Sequence, residues 1–127
     1  MNKFTEKIKI ITNNPLVQAK YPETAKFLES GAEEVLIAVR DSVHLGAAIL
    51  NHPLSGDILP GVCPYKSLIV TDADGSGSFH TDFESLALVE NALRAVRKAP
   101  EGFKGYDEKT LEDFRVIDLD LLESALL

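Results

Sequence analysis

A chain of 127 residues with 20 Asp and Glu against 13 Lys and Arg carries a formal charge of −7, and its negative field repels phosphate backbones and anionic membrane surfaces, so neither nucleic acid nor a membrane is the expected partner. With 45% of residues apolar, 26% charged and one cysteine, the composition is that of an ordinary globular protein, long enough for one domain that buries about two thirds of its extended-chain surface without a disulfide. The opening MNKFTEKIKIIT lacks the apolar core and cleavage site of a signal peptide, and no apolar run approaches the roughly 18 residues of a membrane span, so the cytoplasm is the expected compartment.

In chain order, KIKIIT (Lys7 to Thr12) alternates and is rich in Ile, which predicts a first strand, and NNP stops it as a turn. TAKFLES (Thr24 to Ser30) lies between turn signals ahead of Gly31; its period is ambiguous and its position suits a short second strand, with a helical turn as the alternative. From Glu33 to about Leu50, the residues Leu36, Val39, Val43, Ala47 and Leu50 recur every three or four positions and mark one face of a helix, with Glu33 and Glu34 in its first turn. Gly46 offers an earlier stop, after which AAILN forms a short strand, and this version is preferred.

KSLIVTD (Lys66 to Asp72) predicts a buried strand, followed by ADGSGS. Thr81 and Glu84 form a T-x-x-E capping pattern for a helix buried through Leu86, Val89, Leu93 and Val96, with Arg94, Arg97 and Lys98 at its carboxyl end. EKTLEDF predicts a short helix, RVIDL a strand and DLLESALL a terminal helix capped by Asp120 and Glu123. The alternation predicts a single α/β domain over residues 1–127: three layers around a largely parallel, Rossmann-like sheet, with a binding crevice beyond the carboxyl ends of its strands.

In such a sheet Asn13 and Asn14 leave the first strand at the edge where Asp72 and Asp74 leave a later one. The segment NHPLSGDILPGVCPYKS (Asn51 to Ser67) can reach the same rim, and its amides, carboxylates and His52 suit a small polar molecule. The alternative is that Asn13 and Asn14 form a turn and Asp72 ends a strand. The long segment, with three prolines, two glycines, His52, Ser55, Gly56, Lys66 and Ser67, reads as an ordered loop with a binding or docking role, or as a route between elements. On the long helix, Arg40, Asp41 and His44 share one side, so that Asp41 can orient His44; a solvated charged face is the alternative.

No cofactor is expected. His52 and Cys63 are of the right types for a base and a nucleophile, but a lone cysteine is more commonly buried and inert. His44, His52, Cys63 and His80 contain no short zinc-ligand pair. DADGSGS fails as a calcium loop because its twelfth position is Phe83, and it fails as a phosphate cradle because it lacks the Gly-Lys-Ser/Thr ending and Asp72, Asp74 and Asp82 repel an anion. Two carboxylates, Asp72 and Asp74, leave magnesium as the residual metal option.

Four segments together, KIITNNP, VRDSVHLG, NHPLSGDILPGVCPYKS and DLDLLESAL, resemble the GrdX family over nearly the whole chain. In the loop His52, Pro53, Leu54, Ser55 and Gly56 match the family pattern, as do Pro64, Tyr65, Lys66 and Ser67; Arg40, Asp41 and His44 match in the helix. Asn51 and Cys63 stand where the pattern has threonine, which weakens a thiol mechanism. Members are small proteins encoded alongside the selenium-dependent glycine, sarcosine and betaine reductases of amino-acid-fermenting anaerobic bacteria. The resemblance implies a non-catalytic accessory, assembly or regulatory role, with glycine reductase subunits as partners and the loop as a docking or small-ligand surface. The alternative is an enzyme or binding protein for a small amine, amino acid or acyl phosphate. In that reading Asn13, Arg40, His44, His52 and Lys66 surround one crevice, Arg40 and Lys66 hold the anion, and a histidine handles protons. A third reading is a homo-oligomer whose loop seals the subunit interface.

Overall fold

The computed structural model of the protein describes residues 7–54, 62–72, 81–98 and 105–126; the expectations placed on Ser55, Gly56, Asp74 and His80 lie outside them. Strand β1 (Ile8–Thr12) is the centre of a three-stranded sheet of order β2-β1-β3. β2 (Ala25–Phe27) is parallel to it, with Thr12 beside Phe27, and β3 (Ser67–Thr71) is antiparallel, with Thr12 beside Ser67 and Ile8 beside Thr71.

The Ile-rich run of β1 suits a strand with both faces covered. Ile11, Leu68 and Val70 pack under helices α2 (Ala32–His44) and α3 (Phe83–Arg97). Ile10 and Ile69, pointing the other way, pack with Val17 of α1 (Pro15–Lys20) and Leu122 of α4 (Glu108–Leu126). The result is an α/β fold of three layers on a small mixed sheet.

The expected largely parallel, Rossmann-like sheet is corrected by β3. Helix α2 returns the chain from the end of β2, and Gly46, at φ 108°, turns it into residues 47–51. There Ile49 bridges Val70, Leu50 N donates to Ile69 O and Thr71 N donates to Ala48 O. The preferred early stop at Gly46 is observed, and the short strand after it is reduced to one bridge. β3 is antiparallel both to β1 and, at the Ile49–Val70 bridge, to residues 47–51.

Two helices differ from expectation. NNP begins α1 instead of a turn: the Asn14 side chain accepts from Leu16 N and Pro15 occupies the first helical position, so one residue set serves both outcomes. α4 is a single helix where a helix, the strand RVIDL and a second helix capped by Asp120 and Glu123 are expected. Its inward stripe is interrupted by buried Asp118, which breaks the apolar period and leaves a short alternation that imitates a strand. At α3 the N-cap is Asp82, one residue after Thr81, and its carboxylate accepts from Ser85 Oγ at 2.5 Å. Ser85 is held there because its hydroxyl also accepts from Ile49 N.

Ion pairs Glu33–Arg97 and Arg40–Glu90 align α2 and α3 in opposite directions. On the other face, Glu123 of α4 accepts from Tyr21 Oη at 2.6 Å and pairs with Lys20, which clamps α1. Among the described residues no helix is long and apolar enough to cross a membrane.

Acid should loosen this second clamp. Hydrogen bonding by Lys20, then Tyr21, holds the Glu123 carboxyl below its ordinary 4.5, and Thr110, through its hydroxyl and its N–H, holds Asp107 below 3.8 at the start of α4. A carboxyl whose folded-state value is depressed binds fewer protons folded than unfolded, so its stabilisation is present above the unfolded value and is lost as pH falls through the folded one. Melting temperature should therefore fall as pH drops below about 4.5. A Glu123→Gln variant, less stable at pH 7, should lose less over the same window; parallel wild-type and variant curves would remove Glu123 from this account.

Candidate functional site

Because β3 runs antiparallel, its amino end lies at the carboxyl end of β1, and the far end of the long loop meets Asn13 there. Asn13 continues the ladder one step past the last strand pair: its N–H donates to Lys66 O, and its side-chain oxygen accepts from Lys66 N at 2.8 Å. The Asn13 amide nitrogen donates to Ser30 O and to Pro64 O, both at 2.9 Å, which joins the turn before α2 to the end of the loop. An amide has two donors and an acceptor oxygen, and those of Asn13 are all engaged.

Asn14, fully buried, works in the same way toward α4. Its side-chain oxygen caps α1, and its amide nitrogen donates to Arg115 O at 2.9 Å and to Asp118 Oδ2 at 3.0 Å. Ser67 Oγ donates to the same carboxylate oxygen at 2.6 Å and lies 2.7 Å from Thr12 Oγ1, which accepts from Asn14 N. The turn residues of β1, the first residue of β3 and the middle of α4 are thus one buried polar cluster. Among the described residues no buried side-chain nitrogen or oxygen lacks a partner.

The loop is tied at both ends. At its start, Asn51 imitates a strand neighbour, its amide nitrogen donating to Ser67 O and its oxygen accepting from Ile69 N. Pro53 is buried and its carbonyl accepts from the Lys66 ammonium at 2.9 Å, which links the start of the loop to its end. At the far end, Tyr106 Oη donates to Val62 O, and Arg115 donates to Tyr65 Oη while lying 5.7 Å from the ring centre. Lys66 is 5% exposed; its stem and head belong to the interior of the loop.

His52 is exposed, and its Nδ1 accepts from Leu54 N at 3.1 Å, as a turn-forming side chain does. The half-buried Cys63 thiol donates to Tyr65 O at 3.4 Å. The imidazole and the thiol of the expected base–nucleophile pair are therefore each engaged locally, with backbone groups.

The structure divides the remaining candidates. α2 leaves the carboxyl edge at Gly31 and runs back along the sheet for 13 residues, so Arg40, Asp41 and His44 stand in its far half, roughly 12 to 18 Å of helical rise from its start. His52 follows residues 47–51, which return to the carboxyl edge, so His44 and His52 belong to opposite ends of the sheet. Arg40 reaches Glu90, and Asp41 and His44 are exposed. Asp72 is also at the opposite edge from Asn13: its N–H donates to Lys7 O and its carboxylate lies 4.0 Å from Lys9. The expected common rim is thus corrected by the direction of β3. Among the described residues no three His, Cys, Asp or Glu side chains are grouped to hold a metal ion.

Asp118 and Arg115 are the residues that sequence reasoning missed. Their signal was an acid and a base interrupting the inward face of α4, legible only if the segment is read as a helix. Replacing Asn14 by Ala removes a cap and two buried donors, and the loss should be about 2–3 kcal/mol. In urea unfolding this appears as a lower midpoint at unchanged slope. Asn14→Asp, which keeps the cap but sets a second carboxylate beside Asp118, should be no better than Asn14→Ala; recovery by Asp would mean that the cap alone matters.

No curated protein and no solved structure matches the chain. The family model described as GrdX-like protein matches residues 9–127, from the second residue of β1 to the end of the chain. That span contains the buried cluster, both anchors of the loop and every helix, and on it the chain belongs to the GrdX-like protein family.

Proposed function

We propose that the protein is a non-catalytic accessory component of the glycine, sarcosine and betaine reductase system, and that the face carried by the 51–67 loop is its docking surface. Family membership supplies the link to the reductase. The observation that carries the docking reading is the double anchoring of the loop, by Asn51 and Pro53 at one end and by Pro64, Lys66 and Ser67 at the other.

Ends fixed in this way lower the ordering entropy that association would otherwise cost. The amides of Asn13 and Asn14 are already engaged with the protein itself, which favours a structural lock over a pocket for a small polar ligand. Among the described motif residues of the loop His52 is the exposed one, with its Nδ1 tied to Leu54.

The test is capture of purified reductase subunits by the tagged protein under reducing conditions. Wild type should retain a subunit, and His52→Ala should weaken the association about tenfold or more, as loss of one central contact does, with little change in melting temperature. Lys66→Met should lower both association and stability, because its head bonds Pro53 inside the loop. Absence of capture for every subunit would overturn the proposal. A small-ligand role would instead appear as a rise of several degrees in melting temperature with glycine, sarcosine, betaine or acetyl phosphate at about 100 times the dissociation constant.

A further inference from the structure

The end of the loop is divided between two neighbours by strand alternation. Tyr65 and Ser67, two residues apart, both reach α4: Arg115 donates to Tyr65 Oη at 2.8 Å, and Asp118 accepts from Ser67 Oγ at 2.6 Å. Arg115 and Asp118 are three residues apart and share a face of the helix. Lys66, between Tyr65 and Ser67, turns the other way and donates to Pro53 O. One face of α4 therefore holds both the end of the loop and the start of β3.

These two attachments differ in kind. Asp118, Ser67 and Asn14 are buried, and their bonds are part of the junction of the sheet with α1 and α4. Residues 62–65 are half-buried and, among the described residues, belong to neither apolar core. Polar contacts hold them: Tyr106 Oη donates to Val62 O at 3.0 Å, Asn13 Nδ2 to Pro64 O at 2.9 Å, and Arg115 to Tyr65 Oη. Phe114 packs on the Tyr106 ring, with ring centres 5.1 Å apart. Glu108 accepts from the other arm of the Arg115 fork, while the guanidinium lies 5.7 Å from the centre of the Tyr65 ring. A segment with few buried apolar contacts and partly exposed hydrogen bonds opens locally, at less cost than unfolding the domain.

We propose that Arg115 and Tyr106 form a clasp on residues 62–65 that opens while the sheet stays folded, and that both are thereby positioning residues of the docking face. Closed, the clasp fixes the far end of the loop against α4. Open, Val62 and the Tyr65 ring leave α4, while Pro64 and Lys66 keep their bonds to Asn13. A partner that fits the closed shape binds only the closed fraction, and its apparent affinity falls with that fraction. The consequence for docking rests on the function proposed above; the clasp itself is tested with no partner present.

Cys63, the only cysteine of the chain, lies inside the clasped segment, half-buried and donating to Tyr65 O, and serves as the reporter. The full chain is mixed with an excess of an aromatic disulfide reagent at urea concentrations below the unfolding transition, and the released aromatic thiolate is followed by absorbance. Wild type should label slowly, at a rate that barely changes with urea, because local opening exposes little surface. Arg115→Met and Tyr106→Phe should each label about fivefold faster or more, the factor that loss of one net hydrogen bond gives. Removing a cation disfavours a thiolate, so a faster rate in Arg115→Met reports access rather than reactivity. Tyr21→Phe, which removes the corresponding hydroxyl bond from Glu123 of α4, should label as wild type does. Unchanged circular dichroism and an unchanged urea slope show that the variants fold.

The double variant Arg115→Met/Tyr106→Phe, with neither tie, should be mostly open and label nearly as fast as the urea-unfolded chain. A reductase subunit that wild type captures should then bind it about tenfold more weakly. Equal rates in wild type and both single variants, equal acceleration by Tyr21→Phe, or a wild-type rate that rises with urea as steeply as global unfolding would each overturn the clasp. Full retention of the subunit by the double variant would overturn its role in docking. A wild type that captures no subunit overturns the docking function instead, and the labelling rates then decide the clasp alone.

Discussion

A carboxylate taken out of water is tolerated only where donors replace its hydration, and that requirement at Asp118 organises much of this molecule. Ser67 and Asn14 supply donors to one of its oxygens. Ser67 stands opposite Thr12 across the sheet, and Asn14 is the cap of α1, so satisfying one side chain of α4 fixes the register of β1 against β3 and the starting point of a helix. An apolar residue at position 118 would pack α4 against the sheet without choosing among neighbouring rotations of the helix. The directional bonds to Asp118 make that choice, and they bring Arg115 over Tyr65 at the end of the loop.

Asn13 and Asn14 show how adjacent residues of one type are divided by their surroundings. Asn13 lies beside Lys66 and gives its amide to the loop and to the turn before α2, whereas Asn14 gives its amide to α4. The residues of the loop motif accordingly have two physical roles. Pro53, Pro64, Lys66 and Ser67 hold the loop to the sheet, and His52, tied back through one ring nitrogen, remains at the surface. In the docking proposed for this face, the anchors would fix the shape of the loop and His52 would meet the partner.

The direction of β3 decides which candidate residues can cooperate. It brings the Lys66 end of the loop to Asn13 and sends Asp72 to the opposite edge. The return path of α2 carries Arg40, Asp41 and His44 away as well, where Arg40 contributes an ion pair to helix packing.

Local pattern determined the elements whose residues answer to a single demand. The Ile-rich β1, the buried run of β3, the face of α2 with its stop at Gly46 and the stripe of α3 were legible because apolar period and backbone freedom agree there. The GrdX resemblance was legible from motif residues that match the family as residue types, whatever their contacts. What the tertiary structure alone decided was strand direction and the use of polar residues. A short strand of Leu, Ile and Val satisfies its ladder in either direction, and the connection through residues 47–51 and the loop selects antiparallel. NNP carries the signals of a turn and of a capped helix together, and Asp118 reads as an interruption of a helix until Ser67 and Asn14, distant in sequence, are placed beside it.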